Sequence, residues 1–149
     1  MRVSYKDFPV DKSNPLFPDR LRWEPILQVR LVHKHTQSPR IFAFVDSGSA
    51  YTLFKYDAAA LVGLDPMKNP IFIDDIGGVV RGCQEPAYFH KVSLFFDAGW
   101  RIGVTVGFMK KLACAAILGR NGFFDNFKVS FDHSSQPPSF EIEHITKPI

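Results

Sequence analysis

Between Arg101 and Phe108 the apolar side chains fall on alternate residues, Ile102, Val104, Val106 and Phe108, and a period of two marks a strand with one face buried. The pattern recurs at Leu27, Val29 and Leu31 and again at Phe127, Val129 and Phe131. Two continuous apolar runs, Ile41 to Val45 and Ala115 to Leu118, are short enough to be buried strands, and Tyr51 to Phe54 reads as another. Tyr88 to Phe96 and Arg101 to Phe108 flank Asp97-Ala98-Gly99 as a hairpin. Ile71, Ile73 and Ile76 lead into Gly77-Gly78 and Val79-Val80 lead away, a hairpin whose tip calls for unusual backbone angles and is expected to be mobile. Phe140 and Ile142 pair back after the break at Pro137-Pro138. Helix signals are confined to Ala58 to Val62, with Asp57 as its cap and Gly63 as its stop, and to a helical turn within Gly119 to Asn126. Fifteen Phe suit a bulky sheet core, not a Leu- and Ala-filled bundle. The expected class is all-β, a small closed or nearly closed β-barrel with one or two short helices.

A chain of 149 residues builds one core, not two. Met1 to Arg22 carries Pro9, Pro15 and Pro18 without periodicity. It is expected to be an extended, Pro-rich arm, residues 1–22, ahead of a single domain, residues 23–149. The net charge of +3 comes from scattered Lys and Arg, with no basic stripe that would follow a phosphate backbone, so nucleic acid is not an expected partner. No stretch reaches the roughly 18 to 20 apolar residues of a membrane span. The charged Met1 to Arg22 segment lacks an apolar signal-peptide centre, which predicts a soluble, cytoplasmic protein. Cys83 and Cys114 show neither metal spacing nor a redox pair and are read as free thiols.

The chemistry concentrates where the apolar run Phe42-Ala43-Phe44-Val45 meets Asp46-Ser47-Gly48-Ser49. A carboxylate at the end of such a strand is expected to be buried; burial disfavours its charge unless hydrogen bonds surround it, and such a group suits proton transfer. Gly48 lets the backbone pass close to whatever the carboxylate holds, and the Ser47 hydroxyl can fix the turn. Downstream, Ala115-Ala116-Ile117-Leu118-Gly119-Arg120-Asn121 repeats the grammar of an apolar strand ending in a glycine turn, with Gly77-Gly78 lying between.

This order resembles the retroviral-type, retropepsin-like aspartic proteases over about Leu27 to Phe131. Asp46-Ser47-Gly48 stands where that family has Asp-Thr/Ser-Gly, Ile76-Gly77-Gly78-Val79-Val80 is similar to its flap, and Ile117-Leu118-Gly119-Arg120-Asn121 is similar to the segment before its short helix. The resemblance implies an aspartic endopeptidase with its active site on the two-fold axis of a homodimer. With one copy of the motif per chain, two copies of Asp46 would share a proton and activate water, and no metal or cofactor is implied. Ser47 would lock the turns across the axis and Gly48 would present its backbone to the substrate. Ile76, Gly77, Gly78 and Val79 would close over an extended peptide or protein substrate, while Gly119, Arg120 and Asn121 would support the site and the dimer. Phe44, Phe54 and Phe72 are candidate walls for apolar substrate side chains.

The sequence also departs from the family. Ser49-Ala50-Tyr51 lacks the acid that pairs there with the arginine corresponding to Arg120, which leaves a partner subunit or Asp125 as its candidate partner. The C-terminal part is longer, so Phe127 to Phe131 and Phe140 to Ile145 are expected as a hairpin in the dimer sheet. The arm is expected either to wrap the partner or to lie in the cleft as an inhibitor. Asp97-Ala98-Gly99 lacks the hydroxyl of the motif and is read as a turn. His33 and His35 are read as a solvated turn and not a metal site. Asp74 and Asp75 are read as a solvated face, and Lys110 and Lys111 as an exposed loop. The rival reading from another class is a dimeric peptide-binding module that keeps the barrel and flap without hydrolysis.

Overall fold

The computed structural model describes residues 1–12, 14–78 and 82–145. In chain order the strands are β1 (Arg2–Ser4), β2 (Lys6–Pro9), β3 (Leu21–Glu24), β4 (Ile26–His33), β5 (Thr36–Gln37), β6 (Ile41–Val45), β7 (Leu53–Lys55), β8 (Phe72–Gly77), β9 (Gln84–Phe96), β10 (Arg101–Met109), β11 (Ala116–Leu118), β12 (Phe127–Asp132) and β13 (Ser139–His144). A 3-10 helix covers Tyr56–Val62, and an irregular helical turn covers Arg120–Phe124.

Strands β4, β6, β11, β7, β10 and β9 hydrogen-bond in that order, and β4 pairs again with β9, which closes a six-stranded β-barrel. Alternation does what a period of two requires: Val29, Leu31, Ala43, Val45, Leu94 and Val106 point into the barrel and are buried. The short β5 and the ribbon strand β8 extend the sheet at its two ends. The 3-10 helix packs Ala58, Ala59 and Val62 into the same core. It ends as the sequence predicts, at Gly63 with φ +68°, a left-handed position that glycine takes without a Cβ penalty. Its start differs: Lys55 precedes the first turn, Asp57 lies inside it, and no side chain caps the end. The Asp97-Ala98-Gly99 turn does connect β9 and β10, with Gly99 at φ +89°.

The N-terminal segment departs from the expectation of an unpaired arm. β1 joins β13 (Arg2↔Glu141, Ser4↔Ser139), and β12 lies on the other side of β13, making a second, three-stranded sheet. β2 and β3 form their own antiparallel ribbon, with Pro9 at a strand end and Pro15 and Pro18 in the connection, where a missing N–H is harmless. Tyr5, Phe127, Phe140 and Ile142 carry this part of the chain into the barrel core, where Phe96, Phe123 and Phe127 pack with ring centroids 5.0–6.0 Å apart. The ribbon lies over the outer face of β6: Lys6 Nζ sits 4.0 Å from the Phe42 ring, and Phe8 stacks on Phe44. Among the described residues no helix is long and apolar enough to cross a membrane.

Candidate active site

β6 buries Ile41, Ala43 and Val45, and the chain leaves the barrel wall at Asp46. It turns at once and returns as β7, and β11 is inserted between the two, parallel to β6 (Leu118↔Val45) and antiparallel to β7 (Ile117↔Leu53). The Asp46 N–H donates to the Leu118 carbonyl at 3.0 Å, so the base of the turn is continuous with the sheet. The Gly48 N–H donates to Asp46 Oδ1 at 2.8 Å and the Ser49 N–H to the Asp46 carbonyl at 3.3 Å. A Cβ on residue 48 would stand 3.0 Å from that carboxylate oxygen, which gives the glycine of the motif a steric reason.

Gly119 to Asn121 lock this turn from behind. Gly119 passes so close to Tyr51 that a Cβ there would overlap the Tyr51 carbonyl oxygen. The Arg120 N–H donates to the Ser49 carbonyl at 2.8 Å, and the Asn121 N–H and Nδ2 donate to the Ala50 carbonyl at 3.0 and 3.2 Å. Arg120 Nη1 donates to the Ser47 carbonyl at 2.8 Å and to the Gly48 carbonyl at 3.3 Å. Arg120 thus clamps the turn's own backbone in place of an acid, and Asp125 is occupied otherwise, accepting from the Gly122 N–H at 3.1 Å. Thr52, fully buried and not anticipated from the sequence, accepts from the Gly119 N–H at 3.1 Å and donates to the Asn121 carbonyl at 2.7 Å. Its signal was a hydroxyl at the start of an otherwise apolar strand.

Asp46, Ser47 and Gly48 are exposed in the single chain. The expectation of a buried carboxylate is therefore not met, because the strand ends at the barrel rim and carries the side chain out of the core. Among the described residues Asp46 forms no ion pair. It opens instead on two clefts. One, of about 930 Å³, lies between the turn and the β8–β9 ribbon and is lined by Asp46, Ile76, Gly77, Gly78, Lys111 and Leu112 among others. The other, of about 560 Å³, is bounded by Arg22, Glu24, Phe44, Cys114 and Ile117, again with Asp46 in its wall. The ribbon pairs Ile76 with Glu85 and Gly77 with Gln84. Val79 and Val80 lie outside the described residues. Of the ribbon's described glycines it is Gly82, at φ +83°, that takes the left-handed backbone, and not Gly77 or Gly78.

Several side chains around these clefts differ from their sequence reading. Lys111 pairs with Glu85 at 2.9 Å near the tip end of the ribbon, where Glu85 lies opposite Ile76, and this hydrogen bond and charge raise the lysine pKa. Lys110 rests over the Tyr56 ring. Asp74 accepts from the Tyr51 hydroxyl at 2.9 Å, which raises the phenol pKa, while Asp75 is exposed. Phe54 is fully buried in the barrel and lines neither cleft, whereas Phe44 does line one and Phe72 is part-exposed on the ribbon. Cys114 is half-buried, and burial pushes its thiol pKa up, away from the reactive thiolate. His33 ends β4 and His35 sits in the turn to β5, so the two do not share a strand face. No group of three or more His, Cys, Asp or Glu placed to hold a metal occurs among the described residues. Compared with protein-family models and with curated proteins, the chain matches none.

Proposed function

We propose that the protein is an aspartic endopeptidase of the retropepsin-like type, active as a homodimer in which each copy supplies one Asp46. The observation that carries this reading is the Asp46-Ser47-Gly48 turn, held rigid by Gly119 to Asn121 and facing a cleft roofed by a hairpin ribbon. A carboxylate that is exposed, in no ion pair among the described residues and fixed by its neighbours is a poor stabiliser of a barrel rim, and it fits a surface completed by a second copy. Two such carboxyls brought close together cannot both ionise readily, so they share one proton and titrate as a pair, as aspartic-protease dyads do in general. The ionised member removes a proton from water as the water oxygen attacks the peptide carbonyl carbon. The protonated member donates to the carbonyl oxygen, giving a neutral tetrahedral diol. Collapse breaks the C–N bond: the carboxyl protonated in the first step donates to the amine nitrogen, a diol hydroxyl gives its proton to the other carboxylate, and the dyad again holds one proton. The ribbon would hold an extended peptide by strand-like hydrogen bonds and exclude water.

The test is cleavage of a peptide library between about pH 4 and 7 by wild type and Asp46→Asn, over concentrations that span dimer dissociation. Cleavage by wild type alone, falling more steeply than linearly on dilution, is the expected result. A folded, dimeric wild type that binds peptides and cleaves none at any pH would replace this reading with the peptide-binding module. A protein that stays monomeric at every concentration would remove both.

A further inference from the structure

Tyr51 joins two parts of the molecule that the chain keeps well apart. Its backbone belongs to the Asp46 turn: the Tyr51 carbonyl accepts from Ser49 Oγ at 2.7 Å and is covered by Gly119. Its side chain belongs to the roof. The hydroxyl donates to Asp74 Oδ2 on β8 at 2.9 Å, and the ring meets Phe89 of β9 edge-on with centroids 4.9 Å apart. Phe89 in turn stacks on Phe72 of β8 at 4.2 Å and 12°. One side chain therefore touches both strands of the ribbon. Among the described residues β8 is the terminal strand of its sheet and bonds to β9 alone, so no other described strand fixes its outer edge. Asp74 and Ile76 lie two residues apart on β8 and so share a face, and Ile76 lines the cleft that Asp46 enters. The Tyr51 phenol is held above its ordinary pKa chiefly by the bond to Asp74, as a donor committed to a carboxylate should be.

We infer that Tyr51 is a positioning residue that couples the β8–β9 ribbon to the Asp46 turn, through its hydroxyl to Asp74 and its ring to Phe89, and so sets how the roof sits over the carboxyl. The coupling itself is a property of the fold; its effect on peptide binding rests on the peptidase reading above. Lys111 and Glu85 also tie the ribbon, closer to its tip, but to the connection after β10 and not to the turn.

The experiment measures amide hydrogen exchange along β8 in wild type, Tyr51→Phe, Asp74→Ala and Asp74→Asn, alongside peptide kinetics on the same proteins. Loss of one charge-assisted hydrogen bond at a sheet edge is expected to speed exchange in β8 by on the order of fivefold in Tyr51→Phe and Asp74→Ala, with Leu94 and Val106 in the barrel unchanged. Asp74→Asn, which retains a carbonyl acceptor, should recover most of the protection. In kinetics, KM should rise by a similar factor, about fivefold, with kcat within about twofold. Wild-type exchange in β8 for Tyr51→Phe would overturn the coupling. Faster exchange with an unchanged KM would overturn its role in substrate binding. A wild type that cleaves no peptide would remove the peptidase reading, and the exchange data would still decide the coupling.

Discussion

Gly119 is the residue with least freedom in the site, because its Cα passes over a backbone carbonyl that cannot move without opening the Asp46 turn. Gly119→Ala drives a Cβ into the Tyr51 carbonyl oxygen, and the expected loss is about 3 kcal/mol or more, a fall in Tm of about 10 °C. Thr52→Val is the complementary change: it preserves shape, removes the acceptor for the Gly119 N–H and the donor to the Asn121 carbonyl, and should lower stability by about 1–3 kcal/mol in urea titrations. Of these residues Asp46, Gly48, Gly119 and Arg120 were legible in the sequence, since a carboxylate after an apolar strand and glycines at turns are local signals. The partners of Arg120 were not. They are backbone carbonyls of Ser47 and Gly48, and a carbonyl acceptor leaves no trace in residue type. The Tyr51 to Asp74 bond was hidden for a different reason, since it joins residues that share no local pattern.

At the scale of elements, strands were read well where a period of two ran for several residues, as in β4, β10 and β12, and poorly where a strand is short and its partner distant. β1 is the clearest case. Three residues pair with Ser139 to Glu141, and nothing within Met1 to Arg22 announces that pairing. The connection from β12 to β13 bears on this sheet through Asp132, whose Oδ1 accepts from the Ser134 N–H at 2.9 Å and hydroxyl at 2.6 Å and whose Oδ2 lies 3.8 Å from Arg2 of β1. The Ser134 hydroxyl bond and then its N–H lower the Asp132 pKa; burial opposes them, and Arg2 adds a lesser lowering. A carboxyl whose folded pKa is depressed contributes stability above its unfolded value, and the contribution disappears as pH falls through the folded value. The Tm difference between wild type and Asp132→Asn should therefore be fully present at pH 7, shrink below about pH 4 and vanish at lower pH. Thermal melts at three pH values check this. A difference that grows on acidification would assign the effect to another group.

The whole molecule presents one exposed Asp46 per chain, and an assembly that needs two makes a quantitative demand. In the homodimer proposed above, mixing wild type and Asp46→Asn equally and letting subunits exchange would leave about one quarter of dimers with two intact copies. Activity per total protein should fall to about a quarter of the wild-type value if both carboxyls are needed, and to about a half if each copy acts alone. A closed barrel was foreseeable from the number of short strands and the weight of Phe. How the N-terminal ribbon would lie on β6 was not, because Phe8 against Phe44 is a contact between two residues that are each unexceptional in their own segments.

The pairing of β1 with β13 also orders events in time. Synthesis proceeds from the N-terminus at about 5–20 residues per second, and β1 is made long before its partner β13. Arg2 to Ser4 then have no strand to join until Ser139 to Glu141 leave the ribosome. The earliest of these strands to be translated waits for the latest, and a chain that stops before residue 139 leaves β1 without its partner.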